Sequence, residues 1–218
     1  MKRFCWICFW LSIAAYSVCG TWIFLLPSSS SSAAYAKEWS PPWKSIVQIR
    51  SSTHEKSTRS LGSAAIIEDG YVLSCGHVIH DAKPEVLVDG KWVVCEIIAM
   101  QLKYDWSLLR LPDEFKRKGL SVSSKRPVGE RVYAYGYGGG SFGFSRLRCD
   151  DLAFRGSGIV HGDSGGPILN SKGRVVSVIC AVAPSLGTVS GYDTARLAQF
   201  VQRAKKHDGE GIALYLDW

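Results

Sequence analysis

The run Gly162-Asp163-Ser164-Gly165-Gly166-Pro167 has the composition of a nucleophile-bearing turn. A serine hydroxyl is a weak nucleophile near neutral pH. It needs a general base within hydrogen-bond reach, and that base needs an orienting partner. It also needs N–H donors aimed at the oxyanion of a tetrahedral intermediate. Glycines on both sides of Ser164 let the backbone turn tightly and let a carbonyl approach the N–H groups. Pro167 then fixes the exit. The chemistry this predicts is acyl transfer with Ser164 as nucleophile.

Histidines after the first 36 residues stand at positions 54, 77, 80, 161 and 207. His77 follows Leu73-Ser74-Cys75-Gly76, just past an apolar strand, and suits a base facing a cleft. His54 and His207 lie in polar runs, and His80 points elsewhere if a helical turn follows His77. The orienting carboxylate must be buried yet beside the cleft. Asp105 fits, at the head of the apolar run Trp106 to Leu111, whereas Asp81, Asp89, Asp113, Asp150 and Asp151 lie in turn-like surroundings. Asp105 would hold His77 in one tautomer and stabilise the imidazolium.

Short β-rich runs must position these groups. Ile46–Ile49 reads as a first strand. Ala64–Ile67 and Tyr71–Leu73 flank Asp69-Gly70, and Val86–Val94 is centred on Asp89-Gly90; both read as hairpins. Trp106–Leu111 is a further strand, and Pro112–Lys118 a polar connection. A second set comprises Arg131–Tyr135, Gly158–Val160, Pro167–Leu169 and Val175–Val182. Between its first two members, Gly136 to Gly143 holds five glycines and must be a turned loop. Helical spacing occurs in Leu197, Phe200, Val201 and Ala204, with Asp193 or Thr194 as cap and Lys205, Lys206 and His207 at the C-terminal end. Many short strands and one late helix predict an all-β sandwich or barrel.

The 218 residues, 46% hydrophobic and 21% charged, are those of an ordinary globular chain. Lys2 and Arg3 are followed by an apolar run from Phe4 to Leu26, then a Ser/Ala segment ending Ala34-Tyr35-Ala36. This predicts a secretory signal over 1–36, cut after Ala36. The same run is long enough to span a bilayer as an uncleaved signal anchor, which would tie the chain to a membrane. Either way the body, 37–218, works beyond the membrane. The clusters Lys116-Arg117-Lys118 and Lys205-Lys206 read as solvated faces, and neither has the dense basic stripe that a nucleic-acid partner requires. Cys75, Cys95, Cys149 and Cys180 remain in the body. They lack close C-x-x-C spacing, so a metal site is not expected, and zero, one or two disulfides fit. No cofactor is implied.

The order His77, Asp105, Ser164, with Gly-Asp-Ser-Gly-Gly-Pro around the serine, resembles the trypsin-like (chymotrypsin-fold) serine proteases. Gly62-Ser63-Ala64-Ala65-Ile66-Ile67, Gly70-Tyr71-Val72-Leu73-Ser74, His77-Val78, Val128 to Gly136 and Gly173 to Val178 are similar to HtrA/Deg-type domains within that superfamily. The resemblance covers about 45–204 and implies two six-stranded antiparallel β-barrels, about 43–115 and 120–192, with a helix at about 194–207. No PDZ-like segment follows residue 204. It also implies a triad of His77, Asp105 and Ser164 in the cleft between the barrels, an oxyanion hole from the N–H groups of Gly162 and Ser164, and a protein or peptide substrate cut through an acyl-enzyme. By resemblance, Gly158, Ile159 and Val160 line one wall of the primary pocket, Cys180, Ala181 and Val182 another, and His161 borders the cleft. Gly158 stands where an acidic base would select Lys or Arg, so a small or apolar P1 residue is expected. In trypsin-like zymogens an aspartate at the position of Asp163 pairs with a newly freed N-terminus; Ile46-Val47 is the nearest match to such a terminus, but Gln48-Ile49 departs from it. Three other readings compete. One is an inactive protease-like binding module, opposed by the intact His, Asp and Ser. Another is a membrane-anchored processing protease of viral type. The third is an esterase of another fold, opposed by the residue order.

Overall fold

The computed structural model describes residues 43–218 except 53–58, 80–82, 184–187, 191–192, 211–213 and 216–218. The leader, His54, His80 and Asp81 lie outside the described residues. The chain divides into two units, 1–38 and 39–218, and all described residues belong to the second.

Fifteen strands are described: β1 (Ile46–Ser52), β2 (Arg59–Ile66), β3 (Tyr71–Cys75), β4 (Glu85–Val88), β5 (Lys91–Val94), β6 (Glu96–Gln101), β7 (Trp106–Arg110), β8 (Arg131–Gly136), β9 (Gly143–Cys149), β10 (Phe154–Gly156), β11 (Pro167–Leu169), β12 (Val175–Val178), β13 (Ala181–Ala183), β14 (Thr188–Ser190) and β15 (Leu214–Tyr215). They form two sheets, ordered β15-β6-β7-β3-β2-β1-β4-β5 and β12-β11-β8-β9-β10-β14-β13. Neighbours are antiparallel except β15, which adds to β6 in parallel. The described sheets thus have eight and seven strands rather than six each. The added strands are short ones, such as the two-residue β15.

Local chemistry explains the hairpins. Asp89 (φ 49°) and Gly90 (φ 78°) both take the left-handed conformation that a tight two-residue turn demands, and β4 pairs with β5 around them. Gly158–Val160 is not a strand. Gly158 is left-handed at φ 91°, and the Val160 N–H donates to the Asp163 carboxylate rather than to a ladder. Val175–Val182 is interrupted at Ile179-Cys180, giving β12 and β13. The apolar runs of the sequence do not mark β6, β9, β10, β14 or β15. In β9 the alternation was present but masked by charge: Leu147 and Cys149 are buried, Arg146 and Arg148 exposed.

The larger core joins Ile49, Ile66, Leu73, Leu108 and Trp106 of the first sheet to Leu169, Val175 and Val178 of the second. A smaller core inside the second sheet holds Val132, Ala134, Leu147, Phe154, Ile168 and Val176. The helix α1 (Thr194–Lys206) starts at Asp193, whose carboxylate accepts from the Ala195 N–H. It lays Leu197, Phe200, Val201 and Ala204 on the larger core. Just beyond its end, Asp208 accepts from the Tyr71 hydroxyl (2.5 Å) and Arg110 (2.5 Å), tying the helix exit to β3 and β7. Burial and the Asp208 hydrogen bond push the Tyr71 hydroxyl up to about 12. Among the described residues no helix is long and apolar enough to cross a membrane.

Phe200 is fully buried, with its ring 5.8 Å from that of Trp106. Phe200→Ala should therefore cost about 3–5 kcal/mol of stability, read by denaturant unfolding. A cost below about 1 kcal/mol would mean that the helix does not seal this core.

Candidate active site

Strand ends from the first sheet deliver His77 and Asp105. β3 ends at Cys75, and Gly76-His77-Val78 form a single 3₁₀ turn after it. β7 begins at Trp106, directly after Asp105, and Cys75 pairs with Trp106 in register. The ladder therefore fixes His77 against Asp105. The Gly76 N–H donates to the Asp105 carbonyl (2.9 Å), closing the junction. Asp105 itself has φ 57°, a left-handed conformation that aspartate tolerates better than most residues.

Both carboxylate oxygens of Asp105 serve His77. Oδ1 accepts the backbone N–H of His77 (2.7 Å), and Oδ2 lies 2.5 Å from Nδ1. An ionised carboxylate only accepts, so Nδ1 carries a proton and Nε2 is left as the acceptor. The Asp105 hydrogen bond raises the His77 pKa above the usual imidazole value; partial burial opposes this and the Asp105 charge adds to it. The His77 side chain is 48% exposed. Cys75 Sγ lies 3.7 Å from Nε2. Burial pushes the Cys75 thiol up, so it stays protonated. Cys75, His77 and Asp105 are the one group of three described residues whose potential metal-ligand atoms lie within 4.8 Å of one another.

The serine turn is clamped from the first sheet by Ser63, which is fully buried on β2. Its N–H donates to the Ser164 carbonyl (2.8 Å), and its hydroxyl donates to the Gly162 carbonyl (2.6 Å). The same hydroxyl accepts the Tyr137 N–H (2.8 Å), and the Ser63 carbonyl accepts the Ser74 hydroxyl (2.9 Å). Ser164 thus sits against the end of β3. A side chain on Gly165 would strike Ser63, Ser74 and the Cys75 N–H, and one on Gly62 would strike both Val78 and Ser164. The serine turn therefore packs against β2 and the end of β3, and the Ser164 hydroxyl makes no hydrogen bond among the described residues. In the sequence Ser63 stands out only within Gly62 to Ile67, the run similar to HtrA/Deg-type domains. A lone small polar residue between apolar ones was the only other signal.

Asp163 has a partner within its own chain. Its carboxylate is nearly buried and accepts the Gly138 N–H at Oδ1 (2.8 Å) and the Val160 N–H at Oδ2 (2.9 Å). The five-glycine loop explains itself here. A Cβ on Gly136 would lie 2.4 Å from Asp163 Oδ1, and one on Gly138 2.8 Å from either oxygen. Ile46 pairs with Ala65 inside β1 and is no free terminus. The Gly139 N–H donates to the His161 carbonyl (2.9 Å). Carbonyl and N–H of a trans peptide point in opposite directions, so the Gly162 N–H faces away from that loop. Neither it nor the Ser164 N–H is spent on an acceptor among the described residues.

The pattern model for the "Trypsin-like peptidase domain" matches residues 62–178, more than half of the chain. The chain belongs to the trypsin-like peptidase family. The trypsin-like domain is also similar to a "Probable periplasmic serine endoprotease DegP-like" of Halomonas elongata, 30% identical over 163 residues, covering 65% of this chain and 34% of the relative. A protein of the same description from Rhizobium meliloti is 32% identical over 155 residues, 60% of this chain and 30% of the relative. The chain therefore spans about a third of the length of these relatives. Among solved structures, a serine endoprotease from Yersinia pestis (TM-score 0.66, 19% identity, 81% of this chain and 67% of that one) shares the fold. So does the active form of an M. tuberculosis protease (TM-score 0.67, 19% identity, 80% and 84%).

The other predicted residues of the trypsin-like domain are partly gathered. Gly158, Ile159 and Val160 line a depression of about 150 Å³ with Phe144, Ser145 and Asp163; His161 and Cys180 are not among its lining residues. His161 is exposed. The Cys180 thiol is buried and directed at the carbonyls of Tyr104 (3.7 Å) and Asp105 (3.5 Å), beneath the acid–base pair. For Ala181 and Val182 only the backbone, within β13, is described. Cys75, Cys95, Cys149 and Cys180 are all free and buried, so of the pairings open to the sequence the structure takes none.

Two outcomes follow from this geometry. Asp163→Ala strips the acceptor from two N–H groups, at a cost of about 1–3 kcal/mol each where no water replaces it. The variant should fold, lose hydrogen-exchange protection at Gly138 and Val160, and lose reaction of Ser164 with a fluorophosphonate. Full reactivity in the variant would show that the turn does not depend on Asp163. Asp105→Asn should lower the rate about 10⁴-fold, because the asparagine can leave His77 in the wrong tautomer. The pH sign is set by the raised pKa of His77. Its neutral form appears only as pH rises through that raised value, so the acid limb of the rate profile should move to lower pH when Asp105 is replaced. The same pairing stabilises the fold below the ordinary imidazole value, and that contribution is lost as pH rises through the raised one.

Proposed function

We propose that this domain is a serine endopeptidase that cleaves peptide bonds through an acyl-enzyme on Ser164. The observation that carries the reading is the His77–Asp105 pair, held at 2.5 Å, at the strand end against which the serine turn is clamped. As Oγ of Ser164 attacks the substrate carbonyl, Nε2 of His77 takes the hydroxyl proton. The oxyanion then receives the N–H groups of Gly162 and Ser164. The C–N bond breaks, and His77 returns its proton to the departing amine. Water, deprotonated by the same nitrogen, attacks the acyl ester, the ester C–O bond breaks, and His77 returns that proton to Oγ of Ser164. Asp105 positions and stabilises the imidazolium throughout.

The substrate is a protein or peptide, as expected of relatives described as serine endoproteases. A small or apolar P1 side chain suits Gly158 and Ile159, since no carboxylate stands at Gly158 to hold a cation. The site is extracytoplasmic, in keeping with the leader and with relatives described as periplasmic. One observation favours a non-catalytic binding module instead: the Ser164 hydroxyl is not bonded to His77. Hydrogen bonds at catalytic sites are often loose before substrate binds, so the endopeptidase reading stands over it.

Residues 37–218 treated with a fluorophosphonate probe should be labelled, and Ser164→Ala should not. Folded protein that resists the probe would remove the enzyme reading and leave the binding module. A P1-varied peptide library should favour Ala, Val or Leu, and strong Arg or Lys preference would overturn the pocket assignment.

A further inference from the structure

The outer face of the second sheet carries four arginines whose placement is fixed by strand register. Arg131 on β8 lies directly opposite Arg148 on β9, and Arg148 directly opposite Arg155 on β10. Arg146 is two residues from Arg148 and so on the same face, opposite Tyr133. Adjacent strands are about 4.8 Å apart, so three guanidinium stems stand in a row roughly 10 Å long with the fourth beside it. All four are exposed. With Gly129 and Leu147 they line a depression of about 430 Å³.

Like charges directly opposite each other on a sheet destabilise it. Acidic neighbours relieve this only at one end. The Asp150 carboxylate, held by the N–H groups of Leu152 and Ala153, pairs with Arg155. Those N–H groups and Arg155 bring its pKa down to about 2. Among the described residues, neither Glu130 nor Asp151 forms an ion pair with any of the four, and Arg131, Arg146 and Arg148 have no carboxylate partner. Three planar forks without a counter-ion, converging on one concavity, match an oxyanion that takes paired N–H donors.

We propose that Arg131, Arg146, Arg148 and Arg155 form a binding site for a phosphate-type oxyanion, separate from the acid–base pair and the serine turn. A free polyphosphate and a phospholipid headgroup share that chemistry. Bidentate Arg contacts fix the anion, and its charge removes the repulsion between neighbouring strands.

The test uses residues 37–218 at low salt with two probes, inorganic pyrophosphate followed by calorimetry and phosphatidylcholine vesicles with and without phosphatidylglycerol followed by sedimentation. Pyrophosphate binding marks a soluble ligand. Binding to the anionic vesicles alone marks a headgroup. Either outcome supports the site when the double variant Arg131→Gln, Arg148→Gln weakens it about tenfold or more, the scale of losing charge-assisted hydrogen bonds. Lys91→Gln, Lys172→Gln removes the same charge elsewhere and should change affinity less than about twofold by that reasoning. The arginine variant should also melt no lower than the parent without ligand, since it relieves repulsion, and this separates lost binding from misfolding. Binding of neither probe, or equal loss in the lysine variant, would overturn the proposal.

Discussion

Ser63 is the contact through which the two sheets share one site. Its hydroxyl and its N–H grip the carbonyls of Gly162 and Ser164, while its own carbonyl is fixed by Ser74 next to the β3 end. His77 follows a strand of the first sheet, and Ser164 lies in the turn before β11 of the second. The shared core sets how the two sheets pack, and the Ser63 bonds add a fixed polar link at the turn itself. A shift of about 1 Å between reacting groups is enough to cost orders of magnitude in rate. Ser63 is also fully buried, where an unmade hydrogen bond is expensive, so the bridge has one favourable arrangement rather than several.

Much of this was legible in the chain. The strand ending before His77 and the strand starting after Asp105 were apolar runs with clear limits, and their pairing follows once both are strands. The helix was legible because its apolar period and its cap agreed, and Asp-Gly marked both hairpins. Other features were hidden for specific reasons. Gly158–Val160 is β-branched enough to suggest a strand, yet a left-handed glycine and a side-chain acceptor at Asp163 pull it out of any ladder. β9 carries its arginines on the outer face, so counting apolar residues missed it, although the alternation was intact.

The site shows the same division. The types and order of His77, Asp105 and Ser164 announce the chemistry, because few other arrangements need that set. Long-range contacts leave no such mark. Nothing local to Ser63 says that it reaches residues 99 positions away. The five glycines could be read as a turn but not as room for a particular carboxylate, since that room exists only after residues 136–138 and 163 meet. The arginine row has the same origin, because Arg131, Arg148 and Arg155 are scattered along the chain and only register makes them neighbours.

The carboxylate of Asp163 is answered by two N–H groups of its own continuous chain. Nothing has to be cut for it to find its partner. The turn before β11 is thus anchored from inside the continuous chain, and its shape answers to the positions of Gly138 and Val160.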